Sequence, residues 1–459
     1  MNTQFIEYRV NFIRGRSQNV LDTMLPAFAN SVADVCPTSE SSLTSSIASH
    51  LARYFPNSET KTLNNYATEI VGQLFGMVVH HEDGTCDVSD LTSKLLLDSD
   101  QPAFFKVLIS RIQFPNPMNR NRLDYEQAAL DGCHVRPLVL VLEVLRDISG
   151  PVTYLELRTF VLANLLALNG KNDSKMIAQQ ILSARAQNMT LPNPHIPNKP
   201  FHHQHIKELL GFLVLANLIR ESSSGLYELN RLEAPTLDWI FKTASNQGLF
   251  RGLGPDEDYK TFQRAWTQWY GSLPSDTLLG ELDTPIEALE IDLSKSALLS
   301  DTKSPGKLNT QEVGRIGEEI VLNWQLQEVT AKRPQDIKHV KDRSMERGIG
   351  FDVQSVWCDS AKAGEFKYLE VKTTKRATRP DRNSSQLDLV NLTSNEYRAA
   401  KSHAGNFSVC RVYLFAGGFE VFIITDPVAK GLSGEVILEP ADWSMYITDK
   451  ALGEPDFWG

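Results

Sequence analysis

The sequence predicts an α+β multidomain protein, mostly helical through its N-terminal half and a mixed α/β domain in its last third. Three observations predict it. Apolar residues recur at three and four spacing through much of residues 1–230, the period of a buried helix face. Two short apolar stretches, each broken by turn residues, follow helical segments there, as in a hairpin. Beyond residue 337, runs rich in Val, Ile, Phe and Tyr flank one further helical segment, as in a sheet covered by helices.

In residues 1–135, Leu43–Tyr54 and Leu63–Phe75 read as helices, and Met77–Val88 alternates around His81-Glu82-Asp83-Gly84. Helices followed by a hairpin are the parts of a winged helix. Residues 136–232 repeat the theme more cleanly. Pro137–Asp147 is an apolar helix, Pro151 breaks the chain, and Thr153-Tyr154-Leu155-Glu156 has the spacing of a capping box. Helices Ser174–Gln187 and His205–Asn217 lead to Leu218–Glu221, the turn Ser222–Gly225 and Leu226–Leu229. That order predicts a winged helix-turn-helix. Residues 233–308 predict an acidic helical connector: eleven acids stand against five bases in 233–300, and Pro305 and Gly306 mark a hinge. Residues 309–459 read as helix Gln311–Gln327, strands Ile337–Val340, Phe351–Trp357 and Phe366–Thr373, helix Asn395–Ser402, and strands Ser408–Phe415 and Phe419–Ile424.

Several classes are excluded. The five cysteines are scattered with no CxxC pair, so neither a zinc ribbon nor a disulfide framework is expected. The start MNTQFIEYRV lacks the pattern of a signal peptide, and Pro137–Leu145 is too short to span a bilayer. The expectation is a cytoplasmic protein with no membrane partner. No G-x-x-x-x-G-K-[ST] occurs, so nucleotide hydrolysis would need a motor partner. His202-His203-x-His205 and Cys133-His134 lack the companions that a metal or a nucleophile requires.

Chemistry gathers in the last domain. Gly350-Phe351-Asp352 opens one strand, and Glu370-Val371-Lys372-Thr373-Thr374 follows eighteen residues after Asp352. Side chains alternate along a strand, so Glu370 and Lys372 share a face while Leu369 and Val371 share the other. A hairpin brings Asp352 beside Glu370. Two carboxylates and an ammonium suit a hard cation, Mg2+ or alternatively Mn2+, and hydrolysis of a phosphodiester. The bland alternative is a solvated strand face with cross-strand ion pairs.

These residues resemble the PD-(D/E)xK nuclease superfamily, in the branch found at the C-terminus of the protein NO VEIN. The resemblance runs through Gly314-Arg315-Ile316-Gly317-Glu318, Gly350-Phe351-Asp352, Glu370-Val371-Lys372-Thr373-Thr374 and Thr393-Ser394-Asn395-Glu396. It implies a restriction-endonuclease-like fold, with Asp352, Glu370 and Glu318 as metal ligands and Lys372 as the residue that orients or activates water. Whether Glu318 or its neighbour Glu319 faces the site stays open. Thr393-x-x-Glu396 is itself a capping box, and that structural role is preferred for Glu396. Residues 100–230 also resemble the winged-helix region of some type II restriction enzymes.

The formal net charge of −10 argues against a nucleic-acid partner. Its distribution argues otherwise. Residues 331–382 hold thirteen bases against eight acids. Lys375, Arg376, Arg379 and Arg382 directly follow the catalytic strand, placed to grip a phosphate backbone. Arg111, Arg120 and Arg122 flank a Pro-rich loop and are further candidates for DNA contact. The combined expectation is a metal-dependent endonuclease acting on double-stranded DNA in restriction or phage defence. A homodimer would serve double-strand cleavage, and a methyltransferase or motor subunit are candidate partners. The alternatives are a non-catalytic DNA-binding regulator, or a nuclease subunit of a larger defence or repair complex.

Overall fold

The computed structural model describes residues 5–10, 18–98, 100–117, 122–148, 150–192, 200–246, 248–273, 284, 289, 310–346, 348–359, 361–380, 388–439, 444–447 and 457–458. The chain begins with α1 (Gln18–Val35), β1 (Thr38–Ser39), α2 (Glu40–Tyr54) and α3 (Thr60–Asn65), which continues as a π-helical segment to Leu74. Strands β2 (Val78–His80) and β3 (Thr85–Val88) form the expected hairpin, and β1 pairs on its open side in the order β1-β3-β2. Then come α4 (Asp90–Asp98), α5 (Gln101–Arg111) and α6 (Arg122–Leu130).

The second unit holds α7 (Pro137–Ile148), β4 (Val152–Thr153), α8 (Ser174–Ala186), α9 (Pro200–Leu215), β5 (Ile219–Glu221) and β6 (Leu226–Leu229). Its sheet runs β4-β6-β5, all antiparallel. The Thr153/Glu156 capping box forms: Glu156 N–H donates to Thr153 Oγ1 at 3.2 Å, and Glu156 Oε2 accepts from Thr153 N–H at 2.8 Å. The apolar α7 earns its place in the middle, with Leu138, Val141, Leu142 and Val144 wholly buried.

Residues 234–271 depart from the expected connector. Helices α10 (Ala234–Asn246) and α11 (Tyr259–Gly271) belong to the same apolar core as the preceding units, through Ile240, Phe250, Phe262, Trp266 and Tyr270. The aromatic residues outweigh the acids here: burying a large ring is worth about 1.5–3 kcal/mol, and the acids stay at the surface or in caps, as Asp258 does for α11. One core therefore runs from Val10 to Tyr270.

The C-terminal domain opens with α12 (Thr310–Lys332). A six-stranded sheet follows, ordered β15-β12-β11-β9-β8-β7. Its strands are β7 (Lys341–Asp342), β8 (Val353–Val356), β9 (Phe366–Lys375), β11 (Phe407–Phe415), β12 (Gly418–Thr425) and β15 (Phe457–Trp458), with β11 parallel to β9 and the other pairs antiparallel. A separate small sheet joins β10 (Asp388–Asn391), β13 (Val436–Glu439) and β14 (Ser444–Ile447), and α13 (Ser394–His403) follows β10. The strand expected at 337–340 is a 3-10 helix, Pro334–His339, because Pro334 is preset for a helical first turn. Pairing begins one residue past the expected segment, at Lys341.

Alternation on β9 sorts the two faces. Leu369 and Val371 pack with Val313, Ile316 and Ile320 of α12. On the other face, Ala399 and Ala400 of α13 pack with Phe407 and Val409 of β11. Two glycines permit the close approaches. A Cβ on Gly317 would lie 1.8 Å from Thr373 Oγ1, so α12 rests directly on β9. Gly350 has φ +79° and a Cβ there would lie 2.4 Å from the Asn395 carbonyl oxygen. The chain before β8 thus passes under the first turn of α13.

Gly348 offers a control, since it has φ +84° with nothing within 4 Å. Gly348→Ala should cost only the left-handed penalty, about 1–2 kcal/mol. Gly350→Ala should cost about 1–3 kcal/mol more, from overpacking. Denaturant unfolding of the two variants checks this; equal losses would contradict the close approach.

Candidate active site

The pairing register builds the site. Val353 lies opposite Leu369, so Asp352 comes just where β8 parts from β9. Its N–H donates to the Leu369 carbonyl at 2.9 Å, and its Oδ2 accepts the Val371 N–H at 2.7 Å. The Asp352 carboxylate thus occupies the edge of β9 beyond the end of β8. Glu370 and Lys372 project on one face, as alternation requires. Lys372 Nζ stands 2.8 Å from Glu370 Oε1 and 2.8 Å from Glu396 Oε2.

Helix α12 adds Glu318. It interacts electrostatically with Asp352, while Glu319 turns outward to pair with Arg315. Of the two acids, Glu318 is therefore the one beside the site. Helix α13 adds Glu396, which does two jobs with one oxygen. Its Oε2 accepts the Thr393 N–H at 2.9 Å, closing the expected capping box, and also accepts from Lys372. The ion pair is what sequence reasoning missed. The cap accounted for the residue type, and only the fold brings the start of α13 over β9. Arg398 and Lys401 are exposed on the same helix.

The electrostatics are those of excess negative charge under cover. Burial pushes the Glu370 carboxyl well above its ordinary range; Lys372 opposes the rise and Asp352 and Glu396 add to it. Burial also raises Asp352, with Glu396 contributing. Glu318 is pushed up to about 7, first by burial and then by repulsion from Asp352. Burial disfavours the Lys372 charge, but Glu370 and Glu396 more than offset it and its pKa is raised. Lys372 is an ammonium at neutral pH.

Among the described residues, no three His, Cys, Asp or Glu side chains converge as a ready-made metal cage. Mg2+ does not need one, because it keeps several waters and binds through one or two carboxylates plus phosphate. Carboxylates whose pKa values are raised by burial and mutual repulsion are also the donor set that a divalent cation would relieve. On that donor chemistry the residues fit the ion.

The expected DNA-gripping cations are placed otherwise. Lys375 is buried, with Nζ 2.9 Å from Asp100 Oδ2 and donating to the Thr284 carbonyl at 2.9 Å. Arg376 is buried beside Asp22, 3.8 Å away. Both follow β9 into the contact with the N-terminal body, where Asp22 also accepts from the Thr378 N–H at 3.0 Å. Arg379 is largely exposed but its Nε donates to Glu420 at 2.6 Å. Arg111 is buried, donates to the Leu273 carbonyl at 2.8 Å, and has its pKa lowered to about 10 by burial. Arg122 is exposed and pairs with Glu126 along its helix at 2.7 Å. The correction is physical: Lys375, Arg376 and Arg111 hold the protein's own parts together and present no surface to a duplex. Arg120 and Arg382, and the side chains of His202 and His203, lie outside the described residues. No helix among the described residues is long and apolar enough to cross a membrane.

Comparison with known proteins separates the two halves. Residues 317–424 match the family described as Protein NO VEIN, C-terminal, the segment that carries Glu318, Asp352, Glu370, Lys372 and Glu396. No curated protein matches the chain. Among solved structures, the chain is similar to the BpuJ1 endonuclease binding domain, crystallised in complex with pyrene- and phenanthrene-modified DNA. The identity is 32%, the TM-score is 0.53, and the match covers 58% of this chain and 98% of that one. Residues 2–262 match the family described as Restriction endonuclease BpuJI - N terminal, and the chain belongs to that family.

Proposed function

We propose that the protein is a metal-dependent DNA endonuclease of the restriction type, with an N-terminal body that binds DNA and a C-terminal PD-(D/E)xK domain that cuts it. The observation that carries this reading is the convergence of Asp352, Glu370 and Lys372 at the edge of one strand. DNA binding by the N-terminal body is supported by its family and by the DNA complex of the similar domain. We read the hairpins β2–β3 and β5–β6 as the wings of two winged-helix units. Lys375 and Arg376 are committed internally and take no part in phosphate contact.

Asp352 and Glu370 would hold Mg2+, with Glu318 reaching it through water. The ion, when bound, supplies charge stabilisation for the phosphate and the leaving oxygen. The chain's residues do the rest. Asp352 is fixed by the Val371 N–H, so its free oxygen has one direction to face. Lys372 remains an ammonium and acts as an orienting donor to the attacking water and a neutraliser of developing phosphate charge. Glu396 holds that ammonium from the side opposite Glu370 and positions it.

Three outcomes are expected. With Mg2+, wild-type protein should convert supercoiled plasmid to cut forms, and Lys372→Ala or Asp352→Ala should lose at least about a hundredfold in rate. Cutting by either variant at the wild-type rate would remove the site. Glu396→Gln keeps a capping-box side chain, so its melting temperature should stay near wild type. Its rate should fall about tenfold to a hundredfold through misplacement of Lys372, and the alkaline limb of its pH profile should move down, because Lys372 has lost one carboxylate. A purely structural Glu396 would leave the pH profile in place.

The third outcome concerns stability. Glu318, Asp352 and Glu370 bind protons more tightly folded than unfolded. The folded state thus holds more protons between their ordinary pKa values and their raised ones, and stability falls as pH rises through that window. Without metal, the melting temperature should drop by a few degrees between about pH 5 and pH 8. Mg2+ should recover more of it at pH 8 than at pH 5. A melting temperature insensitive to Mg2+ at pH 8 would contradict the metal site.

A further inference from the structure

Part of one face of the six-stranded sheet is left open to solvent. Helix α13 packs on the β11 side of that face, over Phe407 and Val409, and ends at His403, whose ring centroid lies 3.9 Å from that of Tyr368. From there the pairing register carries the face outward to the sheet edge. Tyr368 of β9 is opposite Gln354 of β8, and Gln354 is opposite Lys341 of β7. Residues directly opposite one another share a face. Alternation along β9 adds Phe366, Glu370 and Lys372 to it. Phe366, Tyr368 and Glu370 thus follow one another at roughly 7 Å intervals, the rise of two strand residues.

The outer part of this face combines an open aromatic ring with unpaired cations. Tyr368 is held by His403 and by Phe351, whose centroid is 4.8 Å away. Phe366 is 42% exposed, and its ring neighbours meet it edge-on or tilted, His339 at 5.5 Å and Tyr368 at 6.4 Å. Lys341 is exposed, as is Lys338 beside His339 in the chain, and neither forms an ion pair among the described residues. The nearby acids are already engaged. Glu346 pairs with Arg343, Asp342 accepts from the Ser344 hydroxyl at 2.7 Å, and Glu365 accepts from Asn406 at 3.2 Å.

An open ring beside free cations is the chemistry that takes a single nucleic-acid strand, bases on the ring and phosphates on the cations. In a duplex each base is covered by its neighbours in the stack, so only a base that has left the duplex reaches such a ring. A second copy of the chain fits less well. Edge strand β7 has two residues, both charged, which is how sheet edges resist pairing. The exposed apolar side chains beside it, Ile337, Met345 and Phe366, are few against the roughly 20–30 residues a side of a stable interface.

We propose that this open face is a track for single-stranded DNA, on which unpaired bases run along β9 from Glu370, one of them stacking on Phe366 while the backbone beside it meets Lys341. The proposal rests on the nuclease reading only for what happens at the Glu370 end of the track.

The test uses the full chain without divalent cation, so no strand is cut. The probe is a DNA duplex with a single-stranded tail, compared with the same duplex carrying an abasic tail. Wild-type protein should bind the tail with bases about fivefold to a hundredfold tighter. Phe366→Leu keeps an apolar side chain without a ring and should lose that preference, while Phe366→Trp should keep it. Lys341→Gln should lower the salt dependence of tail binding by roughly 0.7 in log–log slope. With 5-iodouracil in the tail, near-ultraviolet crosslinks mapped by mass spectrometry should fall on Phe366 or Tyr368. Equal preference in wild type and Phe366→Leu overturns the proposal, as do crosslinks confined to the N-terminal body or an unchanged salt slope in Lys341→Gln. A dimer that Phe366→Leu dissociates, with tail binding unchanged, would assign the face to a second copy and also overturn it. Stacking on Phe366 by a protein that cuts no DNA with Mg2+ would refute the nuclease reading and leave this one standing.

Discussion

Lys372 stands between the buried carboxylate of Glu370 and the half-buried one of Glu396, with a third at the strand edge and a fourth on the neighbouring helix. Charge taken from water is costly unless it is paired, and here one ammonium serves Glu370 and Glu396 together. Much of the C-terminal domain follows from holding that group in place. Gly317 lets α12 rest on β9 so that Glu318 reaches the edge, and Gly350 lets the chain pass under α13 so that Glu396 reaches Lys372. The glycines, the sheet register and the cap on α13 are parts of one solution to the same electrostatic problem.

A second set of buried charges joins the two halves. Asp22 and Asp100 of the N-terminal body take up Arg376 and Lys375 at the end of β9. Breaking such a pair from one side leaves an unmet charge and costs about 3–5 kcal/mol. The basic run at the end of β9 is thus a joint between the N-terminal body and the C-terminal domain. Its sequence resembles a phosphate grip because the chemistry is the same, a cation facing an anion; the anion here is the protein's own carboxylate.

Much of this was legible in the sequence. The helix periods, the two hairpins, the Thr153 and Thr393 capping boxes and the alternation of Leu369, Glu370, Val371 and Lys372 are local signals, and each element stands within a few residues of its expected place. The clustering of Asp352, Glu370 and Lys372 was legible because strand alternation and one hairpin suffice to assemble it. What escaped was non-local. The pairing of Lys375 with Asp100 spans 275 residues, and no local pattern distinguishes a cation that meets a partner domain from one that meets solvent. The aromatic residues of 234–271 signalled packing, but their acidic neighbours drew the boundary in the wrong place. Glu319 and Glu318 were inseparable until the helix was seated on the sheet.

The account turns on whether the raised carboxylates are the seat of a divalent cation. Calorimetric titration of the full chain with Mg2+ near pH 7, in two buffers of different ionisation heat, measures this directly. Binding should release protons, because burial and repulsion from Asp352 hold Glu318 up to about 7 and the ion must displace its proton. Glu370→Gln should weaken the binding and shrink the release. Mg2+ binding with no proton release, or no binding at all, would contradict the account.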